Sequence, residues 1–562
     1  MKRSKITTWL LWLIPLIFLT VFFYQPLLNI FRLVFSDRFD QGWQFFSHDT
    51  LLRPLLFTLW QAFLSTILTL VIGLPAAYLF AKFDFPGRKA LRALSLLPFI
   101  LPTVVVATAF NTLLGPRGWL NLILMNLFNL TNPPLSLLNS LPAILLAHVF
   151  YNTSIVIRMV ENALTRINPH FEEAAQVLGA KPWRVFQEVL LPLLMPSILS
   201  ATLLVFLFDF TSFGVVLMLG GPQYATLEVE IYNQAMNRFN LPMAGLLSII
   251  QLTITLLITF LQNRINTPRY GKAALSAESK TRVKAKTRLE KLYVAVSVIL
   301  LLILFVAPIL SLVSRSLVTM EADRGERGEI ETGFTLRYYT EIFQNRSGSV
   351  FYANPLAAIR NSLVFSLLTM LIASVLGLLS AYALAGSGRL TRFLEPLLML
   401  PLGASAVILG LGFLISFNRA AWTSGRFPIL IPIAHSLIAL PFVVRTILPA
   451  IRAIPESLRE AAQSMGANPW RVFREVDLPI LLRAIIVSLA FSFTISLGEF
   501  GASSFLGSAR TPTIPTLIFR YISQPGALNY GQALAMSTLL LITSAAGSLL
   551  IEKIRLPGEE LF

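Results

Sequence analysis

No cysteine occurs among the 562 residues, which excludes disulfides, iron–sulfur clusters and thiolate metal sites. Histidine is scarce: His48, His148, His170 and His435 are the only four, and no two stand at a metal-ligand spacing. Charged residues make up 13 % of the chain, about half the roughly 25 % of ordinary soluble domains. A phosphate-cradling G-x-x-x-x-G-K-[ST] loop is absent, since Gly271-Lys272 is followed by Ala273 and has no leading glycine. If ATP drives this protein, a separate subunit must hydrolyse it. Neither a Ser/His/Asp set nor a two-carboxylate hydrolase pattern is evident, so the chain reads as a non-enzyme with no cofactor and no metal.

Apolar residues dominate instead, at 55 % with a mean hydropathy of +0.71. Runs long enough to cross a bilayer as helices fall near 10–34, 55–81, 93–114, 141–160, 197–219, 241–262, 292–314, 357–385, 395–417, 428–449, 485–506 and 531–551. The chain is expected to be an all-α polytopic membrane protein of about 12 transmembrane helices. Prolines in the third, fourth, ninth and tenth runs predict kinked or short helices there, with Pro98, Pro102 and Pro401 bending the third helix of each half. The first run is too long for a signal-peptide core and reads as a retained span.

Basic residues orient the spans. With the N-terminus inside, the inner segments hold 30 of the 45 Lys and Arg, and acidic residues split about evenly. The net charge of +17 therefore reports topology and contact with anionic headgroups, not nucleic acid. Both termini fall on the cytoplasmic side of the cell membrane. Residues 263–291, basic and rich in small residues, read as a flexible cytoplasmic linker. It separates a first repeat of six helices (1–262) from a second (292–562). The stretch from Arg315 to Pro355 is the longest outer loop, with a short amphipathic element expected in it.

The halves carry one stretch twice. Residues 173–192 read EAAQVLGAKPWRVFQEVLLP and residues 460–479 read EAAQSMGANPWRVFREVDLP, fifteen of twenty identical at an offset of 287. Such identity marks a duplication. Each copy reads as two short helices: the first stops at Gly179 or Gly466, and the second opens with Pro182 or Pro469, with Asn468 as an N-cap. Trp183, Phe186, Val189 and Leu190 form an apolar stripe, as do Trp470, Phe473 and Val476. The same offset relates Ala147-His148 to Ala434-His435, Arg158 to Arg445, Phe213-Gly214 to Phe500-Gly501 and Thr226 to Thr513, while Ala77-Tyr78 corresponds to Ala381-Tyr382 at a slightly different one. Two six-helix halves entering from one side are related by a pseudo-twofold axis along the membrane normal.

The pattern E-A-A, three residues, Gly and a later Leu-Pro resembles the cytoplasmic EAA loop of ABC-transporter permeases, here at 172–192 and 459–479. The whole chain resembles a fused, two-half permease of a type-I binding-protein-dependent ABC importer, and is similar to thiamine and ferric-iron permeases. WQAFLST from Trp60, ILLAHVFYN from Ile144, LGGPQYATLEVEIYNQA from Leu219 and SLGEFGASSFLG from Ser496 carry the thiamine-permease likeness. The resemblance implies that Glu173, Ala174, Ala175, Gly179, Trp183, Arg184, Glu460, Ala461, Ala462, Gly466, Trp470 and Arg471 couple to ATPase subunits, two copies of which would sit on the cytoplasmic face. It also implies an extracytoplasmic substrate-binding protein and alternating access. Asp477, where the first copy has Leu190, reads as a surface change. The alternative is a secondary transporter of the major-facilitator kind, whose basic loop AKFDFPGRKALR from Ala81 faintly resembles. GSGRLTR from Gly386 does not maintain that pattern, and the two elbows have no place in it.

Intramembrane acids are costly and point to function. Asp209 and Glu499, in the fifth helix of each half, are candidates for the substrate path; alternatively each binds backbone N–H groups where its helix loosens, or pairs with a neighbouring helix. They are not equivalent, because the counterpart of Asp209 is Ser496. His148 and His435 read as repeat-related packing, and Phe210, Phe213 and Phe500 likewise.

Overall fold

The computed structural model describes residues 5–35, 48–265, 282–319, 333–344, 354–386, 389–417, 429–508 and 511–554. Among these residues nine helices are long and apolar enough to cross a membrane, or eleven if two bent pairs each count as one span. In chain order, with the bent pairs included, the spans are Leu11–Val34, Thr50–Lys82, the pair Arg88–Ile100 and Thr103–Phe128, Leu141–Arg166, Trp183–Phe210 and Leu241–Gln262. The second half has Arg288–Arg315, Pro355–Leu384, the pair Thr391–Gly403 and Ala406–Ser416, Leu430–Ala453 and Pro469–Gly498. A helix at Ala527–Ile554 stands where the sequence places a twelfth span, but it is not among the helices that are long and apolar enough to cross a membrane.

Proline sorts these spans. The third bends by 110° at Pro102 and the ninth by 96° near Pro401, because a proline ring clashes with the preceding turn and offers no N–H. The fourth and tenth run as single helices of 26 and 24 residues, so they are not short as the alternative of a kinked or short helix allowed. Pro142 lies in the first turn, where its missing N–H costs nothing, and Pro441 and Pro449 are held inside the buried tenth helix.

The fourth and tenth spans are the centres of the two halves. In each, 78 % of the most apolar stretch is buried, against 28–50 % in the other seven unbroken spans. The second span crosses the fourth where Gly73 meets Val156; a β-carbon there would lie 2.7 Å from that valine. The eighth and tenth spans repeat the crossing at Gly377 and Val443, where the gap would be 2.3 Å. Only a residue without a side chain permits helices so close.

The hydrophobic cores do not follow the order of the chain. Trp12, Leu19, Phe23 and Ile30 of the first span bury among Ala373, Leu376 and Phe413 of the second half. Leu301, Phe305 and Leu312 of the seventh span bury among first-half residues, with Phe305 edge-on to Phe150 at 6.1 Å. Each half thus lends its first helix to the other.

The end of the linker is fixed rather than free. Val283 hydrogen-bonds across to Lys82 and Asp84, both at 3.0 Å, and Thr287 with Glu290 makes a reciprocal cap that starts the seventh span. Residues 266–281 lie outside the described residues. In the loop after that span, Val318–Thr319 pairs antiparallel with Gly333–Phe334, followed by a short helical stretch from Arg337 to Phe343; the remainder of the expected outer-loop element lies outside the described residues.

Candidate functional site

Two places combine repeat symmetry with exposed or polar side chains: the duplicated elbows, and the breaks in the fifth and eleventh spans.

Each elbow opens with a short helix, His170–Val177 or Glu456–Ser464. Gly179 and Gly466 follow at φ +82° and +83°, the left-handed region that favours glycine. The turn is locked twice: Gly179 N–H donates to the Gln176 carbonyl at 2.9 Å and Ala180 N–H to the Ala175 carbonyl at 3.0 Å. Gly466 to Gln463 and Ala467 to Ala462 repeat both bonds at 2.9 and 3.0 Å, the pairing expected of a glycine-terminated helix. Asn468 caps the next helix by accepting from Arg471 N–H at 2.8 Å.

That next helix is not a separate short one. From Trp183 it runs unbroken to Phe210, and from Pro469 to Gly498, so the elbow is the end of a membrane span. A widened π turn at Phe186–Leu190 and at Phe473–Asp477 lies just before Pro192 and Pro479. It absorbs the carbonyl that proline cannot pair, Glu188 or Glu475. Motion of an elbow is therefore carried directly by the span.

The apolar stripe is split. Leu190 is buried and Phe186, Val189, Phe473 and Val476 are half-buried, whereas Trp183 and Trp470 are 67 % and 69 % exposed and lie on Phe186 and Phe473 with centroids 5.6 and 5.4 Å apart. At the end of the preceding short helix Val177 and Leu178 are each 87 % exposed, and in the second elbow Met465 is 82 % exposed. Such an apolar knob on a polar surface marks a contact site. Glu173 faces His170 at 2.9 Å; Arg184 pairs with Glu188, and Arg471 with Glu475, at 2.9 Å. Ala174, Glu460 and Ala461 are exposed, and Ala175 and Ala462 are half-buried.

Asp477 is not a surface change. It is 5 % exposed, accepts from Arg459 Nε at 2.7 Å and from the Tyr382 hydroxyl at 2.9 Å, and so ties the second elbow to the eighth span. In the first half Leu190 buries instead with Ile167 and Leu194, and the tie is Lys82 to Glu172 at 2.9 Å. Arg459 is the counterpart of Glu172, so the charge of the tether is reversed between halves. The signal was present in the repeat alignment: Leu190 becomes Asp477 where Glu172 becomes Arg459.

The fifth span breaks after Phe210 and resumes as Gly214–Leu219; the eleventh breaks after Gly498 and resumes as Gly501–Leu506. Asp209 and Glu499 flank these breaks, 1 % and 8 % exposed. Asn152 donates to Asp209 Oδ1 at 2.6 Å, and His148 Nδ1 lies 3.3 Å from the same oxygen. Glu499 accepts from the backbone N–H of Ala502 and Ser503 at 2.9 and 3.1 Å and lies 2.9 Å from His435 Nε2. Both histidines therefore face the acids and are not plain packing, but His148 Nδ1 makes no hydrogen bond to Asp209, so the closer pair is His435 with Glu499. Phe213 and Phe500 stack on each other, centroids 5.4 Å apart. Phe210 is buried against Phe206.

Residues 69–271 and 373–555 each match the family described as binding-protein-dependent transport system inner membrane component. The thiamine transport system permease protein ThiP of Escherichia coli is 27 % identical over 534 residues, 92 % of this chain and 93 % of that one. Its namesake from Haemophilus influenzae is 26 % identical over 528 residues, 93 % of each. A solved bacterial ABC transporter involved in alginate import is similar to 46 % of this chain and 96 % of its own, at 22 % identity and a TM-score of 0.41. No comparison favours the major-facilitator alternative. This chain belongs to the family of binding-protein-dependent transport system inner membrane components, as an ABC importer permease with both halves fused in one polypeptide.

Proposed function

We propose that this permease imports thiamine or a close chemical relative, an aromatic organic cation, with ferric iron as the competing substrate. The observation that carries the reading is the end-to-end likeness to thiamine permeases, over 92 % of the chain. Uptake of radiolabelled thiamine into cells lacking their own thiamine importer, and carrying this chain with its ATPase and its binding protein, tests it. Saturable uptake unaffected by ferric iron supports the reading. Iron uptake without thiamine uptake overturns it.

Within this reading the repeats are 1–262 and 292–562, joined by the 263–291 linker, with both termini cytoplasmic in the cell membrane. One ATPase subunit grips each elbow, two per chain, through the exposed knobs of Val177, Leu178 and Trp183 and of Met465 and Trp470. Glu173, Ala174, Ala175, Gly179 and Arg184, with Glu460, Ala461, Ala462, Gly466 and Arg471, shape the turn and its polar rim. An extracytoplasmic binding protein delivers substrate to the other face. Rigid elbows suit this task, because each continues into a span and a loose loop would absorb the stroke. Asp209 and Glu499 belong to the path as buried members of its wall. Co-purification from native membranes checks the partners: an ATPase recovered near two copies per chain is the expected result.

A further inference from the structure

The two histidine–acid pairs are built from the same positions in opposite order. In the first half the fifth span carries Asp209 and, three residues on, Ser212; at the equivalent positions the eleventh carries Ser496 and Glu499. His148 turns Nδ1 to Asp209 at 3.3 Å and Nε2 to Ser212 Oγ at 2.8 Å. His435 turns Nδ1 to Ser496 Oγ at 2.8 Å and Nε2 to Glu499 at 2.9 Å. Each ring nitrogen therefore faces the same position in both halves, and the acid and serine have traded places around it; His148 Nδ1 approaches Asp209 without a hydrogen bond, and Asn152 holds that carboxylate instead. An uncompensated acid at this depth is costly, and packing alone would not require one acid per histidine on alternate sides.

What these pairs hold is the break that follows them. Phe213 and Phe500 are equivalent residues, so their contact lies on the pseudo-twofold axis, where the halves meet. Tyr232 packs on Phe213 at 5.4 Å and 56°, and its equivalent Phe519 on Phe500 at 5.4 Å and 57°. Four rings thus form a symmetric ladder, Tyr232–Phe213–Phe500–Phe519, across the axis. Each backbone behind it is crowded: a β-carbon at Gly214 would lie 2.5 Å from Thr103 Oγ1, and one at Gly498 2.7 Å from Pro102. The 28-residue helix from Trp183 to Phe210 is about 42 Å long at 1.5 Å per residue, more than the roughly 30 Å hydrocarbon core. The ladder accordingly lies toward the face opposite the elbows.

We propose that this aromatic ladder is the closed gate of the path on the side away from the ATPase elbows. His148–Asp209 and His435–Glu499 are its positioning latches, each fixing the break that sets one phenylalanine on the axis. Opening requires the halves to part and the Phe213–Phe500 stack to separate, while each latch travels with its own half.

The test uses the full chain in liposomes without ATP, loaded with radiolabelled tetramethylammonium, so its outcome does not depend on the thiamine reading. Phe213→Ala with Phe500→Ala should raise efflux about tenfold as the closed population falls; efflux at the wild-type level overturns the gate. Asp209→Ser should also leak, and adding Ser212→Glu, which gives the first half the order of the second, should restore tightness. A folded swap that leaks as much as Asp209→Ser overturns the latch. Should Asp209→Ser fail to fold, the reciprocal pair Glu499→Ser and Ser496→Asp supplies the same comparison. Position is read separately in membranes: because the chain has no cysteine, Phe213→Cys with Phe500→Cys can be oxidised and its free thiols counted. The thiols should disappear in the wild-type and swapped backgrounds and persist in Asp209→Ser. Equal cross-linking in all three overturns the positioning role.

Discussion

Replacing Asp477 by leucine, the residue of the first copy, tests whether the second elbow is held by charge. The site already has an apolar seat for leucine, because Ile454 and Leu481, the counterparts of Ile167 and Leu194, are 5 % and 0 % exposed. The loss is that of Arg459 Nε at 2.7 Å and the Tyr382 hydroxyl at 2.9 Å. Charged hydrogen bonds contribute roughly 1.5–3 kcal/mol, and the Arg459 side chain is 21 % exposed, so water recovers part of it. A net loosening of about 2 kcal/mol follows, equivalent to roughly thirtyfold in a local opening equilibrium. Hydrogen exchange of the purified chain reads this directly: amides of Glu456–Ser464 should exchange roughly thirtyfold faster, while those of His170–Val177 do not change and serve as the internal control. Restoring the first-half tether with Arg459→Glu and Gly386→Lys should recover most of the protection. Unchanged exchange in Asp477→Leu, or an equal rise in both elbows, refutes the reasoning.

Gly179→Arg together with Gly466→Arg should abolish transport while leaving the protein in the membrane, since each puts an L-residue at φ near +80°, costing about 1–2 kcal/mol, and projects a side chain into open space where a partner would sit. Normal uptake by that pair refutes the coupling role. Gly377→Ala should lower the detergent melting temperature, because its methyl group would meet Val443 at 2.3 Å and overpacking costs about 1–3 kcal/mol; adding Val443→Ala should restore part of it. Gly73→Ala with Val156→Ala should behave alike in the first half.

Much of the fold is legible in the chain because its signals are local. Apolar runs place the spans, and Gly179, Gly466 and Asn468 mark helix ends through the backbone angles and caps those residue types favour. The tethers and the histidine–acid pairs are less legible. Asp477 reads as a surface residue because charge normally stays in water; the groups that offset its burial, Arg459 and Tyr382, lie 18 and 95 residues away. Ser212 and Ser496 carry no chemical signature alone, and only their exchange with an acid between repeats distinguishes them.

The amino-acid sequence by itself determined a duplicated helical membrane protein and two glycine-capped elbows, since periodicity, capping and identity at a fixed offset need no partner in space. Only the tertiary structure decided that each half borrows the other's first helix, that the elbow's second helix is the end of a membrane span, and that the equivalent Phe213 and Phe500 stack where the halves meet. These depend on which surfaces of two homologous halves meet. That choice is made by packing between helices, such as Gly73 on Val156 and Phe305 on Phe150, and no single stretch of chain encodes it.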